Sequence, residues 1–375
     1  MVDIDLGDGE RDDDSAELET SDIELLDEAD PEAAPVTYSG TDFDVEGLVR
    51  RFERGDIVVP SFGHNDETIE TAGFQRRFVW RRSQMDRFIE SLLLEYPIPG
   101  IFFVQQQDKK YLILDGQQRI RTLVAFYAGV FGGREFALQN VADEFKNLTY
   151  KSLNSGQRRT LDNTFIQATI VKTDGSAKSM ESVYQVFERL NSGGTQLTPH
   201  EIRVALYAGR FIEFLTSLNT DINWRQIYGP MSPRLRDQEL ILRYLALYLD
   251  EKPYTRPLKR YLNDFVAVHR ELQDFNAVEA KERFAKVTEL LSEGPGMAAL
   301  RGNGRQVNAA LAESIMVGLA RRLDRSPEPS SEAVGRGVET LLSDRRLDDL
   351  ISQATANEER VLSRVQLATN ILSEI

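Results

Sequence analysis

The pattern of hydrophobic positions changes along the chain. Short apolar runs of strand length lie in its first half, at residues 57–60, 101–104, 111–114 and 165–171. From residue 180 onward, apolar side chains recur every three or four residues, which is typical of amphipathic helices. Helices are predicted over residues 180–190, 238–249, 261–272 and 309–323. Strands followed by a long series of helices predict an α+β fold with an all-helical C-terminal region.

Capping residues predict where two of the helices begin. Ser83 is a good N-cap, and Asp86 stands three residues further on in the capping-box position. Thr198 is followed by Pro199 at the first helical position and by Glu201 at the third, which is a stronger start signal. Capping explains Thr198 and Glu201 fully, so neither is a candidate for catalysis.

The most informative stretch joins the apolar run at residues 111–114 to a helix. Asp115 and Gly116 form a turn, and the apolar residues after it share one helical face: Ile120, Leu123, Val124 and Tyr127. A strand-turn-helix junction directs free N–H groups and the positive helix end toward one point, where an anion can bind. The side chains at that end can donate several hydrogen bonds to phosphate oxygens; they are Gln117, Gln118 and Arg119.

The same residues also have an ordinary structural explanation. Asp115 would be only a helix N-cap, and Gly116 only a turn glycine. Arg119 would then be a solvated charge. Residue spacing alone does not separate this explanation from the anion site.

A glycine pair separates two of the predicted helices. Asn191 and Gly193 tolerate the left-handed backbone that ends a helix. Arg189 and Asn191 flank the glycines, and backbone of this kind can approach a phosphate closely. A tight turn without a ligand would explain the same residues.

The acidic charge of the protein is concentrated at its N-terminus. Residues 1–46 hold 18 acids and one base, about −17, whereas residues 47–375 hold 42 acids and 44 bases, about +2. A segment this charged cannot bury enough apolar surface to offset its ordering entropy, so we predict a disordered tail over residues 1–46. The tail is either a solubilising leader or a mimic of nucleic acid that lies in a basic groove of this protein or of a partner.

Cysteine and leader signals limit the class of protein. The chain has no cysteine, so disulfides and thiolate metal sites are excluded. Met1 is followed by acids instead of a basic and apolar leader, and no run approaches about 18 apolar residues. We therefore expect a soluble, cytoplasmic protein without membrane association.

Four segments carry a resemblance to a known family. They are FQRRFVW at residues 74–80, LLLEYPIP at 92–99, DGQQR at 115–119 and FERLNSGGTQLTPHEIR at 187–203. In this order they resemble the boxes of the GmrS-like family, known as domain of unknown function 262, within the ParB/sulfiredoxin-like superfamily. The resemblance implies a ParB-like domain with a small mixed sheet and packed helices over residues 47–205. A helical domain would then occupy residues 206–375.

The resemblance also implies a nucleoside triphosphate and Mg²⁺ as ligands. Arg119 would bind phosphate, Gln118 would contact phosphate or orient water, and Asp115 would orient the turn or the metal. Glu188 is the carboxylate that could serve in catalysis, and Asn191 would meet phosphate or Mg²⁺. The remaining ligand contacts implied for this chain are Gln75, Arg76, Gly116, Gln117, Arg189 and Gly193. ParB has glutamate where this chain has Gln118, so this chain lacks at that position the carboxylate that could act as a general base.

Relatives of this family act in bacterial defence against phage or modified DNA, usually beside an HNH nuclease. The three histidines are His64, His200 and His269, and they form no HNH-type cluster. We therefore expect a regulatory subunit that hydrolyses nucleotide and works on DNA with a separate nuclease partner. The alternatives are a non-catalytic DNA- or protein-binding module switched by nucleotide, and a ParB-like nuclease that acts alone. Homo-oligomers fit each of these hypotheses.

Overall fold

The computed structural model describes residues 35–59, 80–190, 197–250, 252–325 and 327–375. Within them the strands are β1 Thr37–Asp44, β2 Ile57–Val58, β3 Ile101–Gln105, β4 Tyr111–Asp115, β5 Val130–Phe131, β6 Arg134–Glu135 and β7 Phe165–Lys172. The helices among the strands are α1 Val45–Glu53, α2 Arg82–Leu93, α3 Gln117–Ala128 and α4 Ser155–Asn163.

The chain after β7 is helical. Its helices are α5 Ala177–Leu190, α6 Pro199–Leu206, α7 Arg210–Asn219, α8 Ile222–Tyr228, α9 Arg236–Leu249, α10 Leu258–His269, α11 Ala277–Glu293, α12 Ala298–Arg301, α13 Ala309–Leu323, α14 Ser331–Leu342, α15 Arg345–Ser352 and α16 Glu358–Leu372. In the part of the chain that the structure covers, no helix combines the length and apolar character needed to cross a membrane.

Five strands form one mixed sheet in the order β1-β7-β3-β4-β2. The β2–β4 and β3–β7 pairs are parallel, whereas β1–β7 and β3–β4 are antiparallel. Strands β5 and β6 form a separate hairpin. The prediction of an α+β fold with a small mixed sheet and a helical C-terminal region is therefore confirmed. Membership of the ParB/sulfiredoxin-like superfamily stays a prediction.

Helices cover both faces of the sheet, because successive side chains of each strand point to opposite sides. Ile113 of β4 belongs to the core formed with α1 to α4, where its partners include Leu48, Ile89 and Leu123. Leu112 and Leu114 belong to a second core, which includes apolar residues of α5 and continues through the C-terminal helices. This second core runs across residues 205 and 206, where the sequence predicted a domain boundary.

Strand β1 lies inside the segment predicted to be disordered, so that prediction is wrong for residues 37–46. The strand pairs with β7 along its full length, from Thr37 opposite Lys172 to Asp44 opposite Phe165. Asp44 then caps α1, since its Oδ1 accepts a hydrogen bond from Gly47 N at 2.6 Å. The average charge of residues 1–46 concealed this strand, whose side chains are mostly exposed although Phe43 is buried.

The predicted cap of α2 is also wrong, because Asp86 has a different task. The helix begins at Arg82, and Gln84 Oε1 accepts from the backbone N–H of Arg81 at 2.8 Å. Asp86 is fully buried. Its Oδ1 accepts from Arg82 Nε at 2.8 Å, and its Oδ2 accepts from Asn140 N at 3.0 Å and Asn140 Nδ2 at 2.8 Å. The carboxylate thus fastens α2 to the loop after β6.

We expect Asp86→Asn to lower the free energy of unfolding by about 2 kcal/mol, because the buried acceptor loses its charge beside Arg82. Chemical denaturation with urea measures the effect. The control is Asp143→Asn, which removes an ion pair with Lys146 from a side chain that is 93% exposed, and we expect it to cost at most about 0.5 kcal/mol. Equal losses in the two variants would contradict the proposed role of Asp86.

Candidate functional site

The turn between β4 and α3 requires a glycine. Gly116 has φ of 96° and ψ of 8°, a left-handed backbone that residues with a Cβ rarely adopt. A Cβ at this position would lie 2.9 Å from Ile101 Cγ1 and 3.2 Å from Arg119 Nη2. The turn is therefore packed against the start of β3, and the role of Gly116 as a turn glycine is structural.

Arg119 ties this turn to the segment before β3. Its Nη2 donates to Asp115 Oδ2 at 2.7 Å, and its Nη1 donates to the carbonyl oxygen of Pro99 at 3.0 Å. The Arg119 side chain is 11% exposed, whereas that of Asp115 is 52% exposed. Arg119 is therefore a largely buried tether and not a freely solvated charge. The Asp115 carboxylate stays open to solvent.

The first turn of α3 presents free backbone donors. Gly116 occupies the N-cap position, and no side chain in the described ranges caps the helix. Asp115 is thus not the N-cap that the plainer interpretation required. The first bond within the helix runs from Ile120 N to Gly116 O at 3.1 Å. The N–H groups of Gln117, Gln118 and Arg119 come before that bond, and no acidic residue lies in the first turn.

The two glutamines of this turn differ in their surroundings. Gln118 Oε1 is buried and has no hydrogen-bond partner among the residues that the structure describes. With its amide oxygen turned toward Arg121, Gln117 accepts from Arg121 Nε and Nη2 at 3.2 Å each. The sequence did not single out Arg121, although its place four residues after Gln117 puts both on one helical face.

The sheet topology brings several segments to the edge where Asp115 lies. Because β2 is parallel to β4, the chain leaves β2 at this same edge. Strand β3 begins there, with Phe102 opposite Asp115. The segment that follows β2 contains two predicted site residues, Gln75 and Arg76, which lie outside the described residues. The other two predicted residues outside them are Asn191 and Gly193.

Helix α5 returns to the same edge. Strand β7 is parallel to β3 and therefore ends at the opposite edge, where α5 begins. The helix contacts β4, and its 14 residues span roughly 21 Å, which is enough to cross the sheet along the strands. We infer that its C-terminal end, with Glu188 and Arg189, lies toward the Asp115 edge. Arg189 is exposed in the last helical turn, where a cation is also favoured by the helix dipole.

Glu188 is held by a buried lysine. Lys259 Nζ of α10 donates to Glu188 Oε1 at 3.0 Å and to Oε2 at 3.2 Å. The two side chains are 4% and 14% exposed. A carboxylate whose two oxygens accept from an ammonium group is a poor general base, because protonation would break the pair. The role suggested for Glu188 in catalysis therefore requires Lys259 to move.

One helix holds both flanks of the glycine loop, a name used for residues 191–196, which lie outside the described residues. Besides the pair between Lys259 and Glu188 before the loop, α10 binds Arg203 after it. Arg203 Nε donates to Asn263 Oδ1 at 2.7 Å, and its Nη2 donates to the Lys259 carbonyl at 3.3 Å. Asn263 Nδ2 also donates to Glu181 Oε2 of α5 at 3.0 Å. Lys259 and Asn263 are one helical turn apart, which is the signal in the sequence that could have indicated a shared task.

His200 lies in the same buried network and is neutral. Its Nε2 is 3.1 Å from Gln238 Oε1, and its Nδ1 is 3.1 Å from Arg203 Nη1. Burial, and then the charge of Arg203, lowers the pKa of His200 to about 3. The capping box that Thr198 and Glu201 were predicted to form is confirmed by bonds of 2.6 Å and 3.1 Å, so α6 begins as the sequence indicated.

The low pKa of His200 predicts a dependence of stability on pH. Between about pH 6.5 and pH 3, His200 is protonated in the unfolded chain but stays neutral in the folded protein. Acidification therefore favours unfolding. We expect the free energy of unfolding to fall by up to about 1.4 kcal/mol per pH unit more in the wild type than in His200→Gln. Urea denaturation at pH 6.5, 5.5 and 4.5 tests this. Parallel slopes for the two proteins would contradict it.

The fold and the turn together define an α+β domain that offers free donors and arginines at one edge of a mixed sheet. Residues 61–208 match the family described as GmrSD restriction endonuclease, N-terminal domain. This match supports the resemblance to the GmrS-like family that the four motifs indicated. Strands β1 and β2 and helix α1 precede the matched region. A comparison with curated proteins gave no match.

Proposed function

We propose that this domain binds a nucleoside triphosphate at the edge formed by the β4–α3 turn. The observation that carries the proposal is the first turn of α3, whose N–H groups have no side-chain cap among the described residues and which contains Arg119 but no acidic residue. Backbone N–H groups and guanidinium groups at a helix N-terminus are suited to phosphate oxygens. Among the described residues, the nearby carboxylate of Asp115 is already paired with Arg119.

Mg²⁺ fits this site as a companion of the nucleotide. In the described ranges no group of three or more His, Cys, Asp or Glu is placed to hold a metal. Mg²⁺ in nucleotide sites is usually held by one or two carboxylates together with the phosphates. The exposed carboxylate of Asp115 would supply the protein ligand, and the ion would neutralise phosphate charge. The resemblance implies Asn191 as a second ligand.

The geometry favours a nucleotide switch over rapid hydrolysis. An amide at Gln118 cannot accept the proton of an attacking water as a carboxylate does, and Glu188 is occupied by Lys259. Phosphoryl transfer can proceed by positioning and charge neutralisation, so the site supports slow turnover. Hydrolysis at a useful rate is the second candidate, with Asp115 as the carboxylate that remains exposed.

We infer further that the protein regulates a restriction-like defence system that acts on DNA. The support is the family match over residues 61–208, whose description names a restriction endonuclease. The cutting activity would come from a separate nuclease partner. Nucleotide bound at the turn would then change how α5 and α6, which are joined through α10, present the glycine loop to DNA or to that partner.

Phosphate release and nucleotide-dependent melting test the central proposal. Each of ATP, GTP, CTP and UTP is added with Mg²⁺ to the wild type, to Arg119→Ala and to Arg87→Ala, whose arginine is exposed on α2. At a free nucleotide concentration of 100 to 1,000 times Kd, binding should raise the free energy of unfolding by about 3 to 4 kcal/mol. We expect the wild type and Arg87→Ala to show this stabilisation, and Arg119→Ala to lose it.

The pattern of turnover separates the two candidates. Stabilisation without phosphate release supports the switch, whereas release that disappears in Arg119→Ala supports the hydrolase. If none of the four nucleotides stabilises or is hydrolysed by the wild type, the phosphate site is wrong. Cleavage of plasmid DNA by the purified chain would instead support a nuclease that acts alone.

A further inference from the structure

Arg121 is a cation without a carboxylate partner. It forms no ion pair with any residue in the parts of the chain that the structure describes, and its polar contact is the side chain of Gln117. The side chain is only partly exposed. Burial lowers the pKa of the Arg121 guanidinium below its ordinary value, yet an arginine stays charged at neutral pH. The described part of the protein therefore keeps this charge partly out of water without a carboxylate to compensate it.

The location of this charge makes it more unfavourable. Long side chains on a helix lean toward its N-terminus, so the Arg121 guanidinium lies over the turn that contains Gln117. The positive end of the helix dipole is at this turn, where cations are disfavoured and anions favoured. The turn contains no acidic residue that would offset the charge. An electrostatic conflict of this kind is relieved when an anion binds.

Arg119, the neighbouring arginine, is less free than Arg121 to bind an anion. Arg119 Nη2 is used by Asp115 and Arg119 Nη1 by the Pro99 carbonyl, so its guanidinium is fixed by the fold. Among the residues that the structure describes, Arg121 Nε and Nη2 contact a neutral amide oxygen and no carboxylate. A guanidinium that rests against an amide can exchange it for a phosphate at small cost, because charge-assisted bonds are roughly twice as strong as neutral ones.

A second group of this turn is also unsatisfied. Gln118 Oε1 is buried and lacks a hydrogen-bond donor among the described residues. A buried acceptor without a partner is unusual in a folded protein and calls for a ligand or a bound water. A phosphate cannot satisfy an acceptor, but a hydroxyl group or a water bound beside the phosphates can. The Arg121 guanidinium requires an acceptor, whereas Gln118 Oε1 requires a donor. One nucleotide with its bound water can supply both.

We propose that Arg121 is the arginine that binds the phosphates of the nucleotide, while Arg119 positions the turn. This inference rests on the proposed function and assigns separate tasks to the two arginines of that site. It predicts that removal of Arg121 weakens phosphate binding without loss of stability. It also predicts that removal of Arg119 destabilises the fold even when no nucleotide is present.

The test compares Arg121→Gln, Arg119→Gln and the surface control Arg87→Gln in the full chain. Melting temperatures without ligand and affinities for the four nucleoside triphosphates with Mg²⁺ are measured, together with inorganic triphosphate as a probe that has no base. We expect Arg121→Gln to melt no lower than the wild type and to bind triphosphates at least about tenfold more weakly, as befits the loss of one charge-assisted pair. Arg121→Lys should recover part of the affinity, because it keeps the charge but not the paired donors.

Each other outcome is decisive. If the wild type binds nucleotide and Arg121→Gln binds it equally well, the role of Arg121 is wrong and the proposed function stands. If Arg121→Gln melts as low as Arg119→Gln and keeps its affinity, Arg121 is a structural residue. If the wild type binds neither nucleotides nor inorganic triphosphate, the proposed function fails, and this inference fails with it.

Discussion

Replacing Lys259 by methionine is expected to lower the free energy of unfolding by about 3 to 5 kcal/mol, because the change leaves the Glu188 carboxylate buried without its ammonium partner. The pair is nearly inaccessible to water, and Lys259 Nζ contacts both oxygens of Glu188. Methionine keeps most of the aliphatic volume, so the loss reports mainly on charge. Urea denaturation at pH 7 measures it.

Two further variants show whether the pair itself is responsible. Lys146→Met removes an exposed pair with Asp143, and such pairs contribute at most about 1 kcal/mol. Adding Glu188→Gln to Lys259→Met removes the charge of the Glu188 carboxylate. The loss of free energy of unfolding in the double variant should therefore be smaller than the sum of the losses in the two single variants. A simple sum would mean that the residues act independently, which the distances between them do not support.

The same variant has a functional consequence if α10 positions the glycine loop. Lys259 and Asn263 hold residues on both sides of that loop, namely Glu188 and Arg203. Loosening one flank should weaken nucleotide binding at temperatures where Lys259→Met is still folded. The measurement is therefore made well below the melting temperature, and an unchanged affinity would confine Lys259 to stability.

Local signals explain what could be predicted from the sequence. The turn at Asp115 and Gly116 was predictable because an apolar run, a glycine and a helical face follow one another within a few residues. The start of α6 was predictable for the same reason, since Thr198 and Glu201 are three residues apart. Such patterns depend on residues that are close in the chain, so they can be recognised without knowledge of the long-range contacts.

Contacts between distant residues explain what was missed. Lys259 is 71 residues from Glu188, and nothing near either residue in the sequence indicates their pairing. Asp86 looked like a capping residue, but its hydrogen bonds to Asn140 cross 54 residues. Strand β1 was overlooked because its pairing with β7 satisfies a backbone whose own side chains are mostly exposed.

Within the candidate site, too, the motif could be recognised from the sequence, but the contacts of its side chains could not. The resemblance directed attention to Arg119 as the phosphate ligand, whereas the structure shows that its guanidinium binds Asp115 and Pro99. Arg121 looks like an ordinary surface charge in the sequence, because the lack of a carboxylate partner among the described residues can be recognised only in three dimensions. The role of Arg119 as a phosphate ligand therefore stays a prediction, and the hydrogen bonds of its guanidinium could be seen only in the structure.

Replacing Gly116 by alanine is expected to lower the free energy of unfolding by about 3 kcal/mol and to abolish nucleotide-dependent stabilisation. Left-handed backbone costs a residue with a Cβ about 1 to 2 kcal/mol, and forcing extra volume into a packed position costs about 1 to 3 kcal/mol. The new Cβ would lie 2.9 Å from Ile101 Cγ1 and 3.2 Å from Arg119 Nη2. Either neighbour must move, and a shift of Arg119 would disturb the turn.

Gly129, at the other end of α3, provides a matched control. It has a φ of 74°, but a Cβ there would meet no atom of the described structure within 4 Å. Gly129→Ala should therefore cost only the backbone term, about 1 kcal/mol, and should leave nucleotide binding intact. Urea denaturation and nucleotide-dependent melting of both variants give the comparison. If Gly129→Ala abolished binding as completely as Gly116→Ala, general destabilisation of α3 would explain the loss, and the turn would have no special part in holding phosphate.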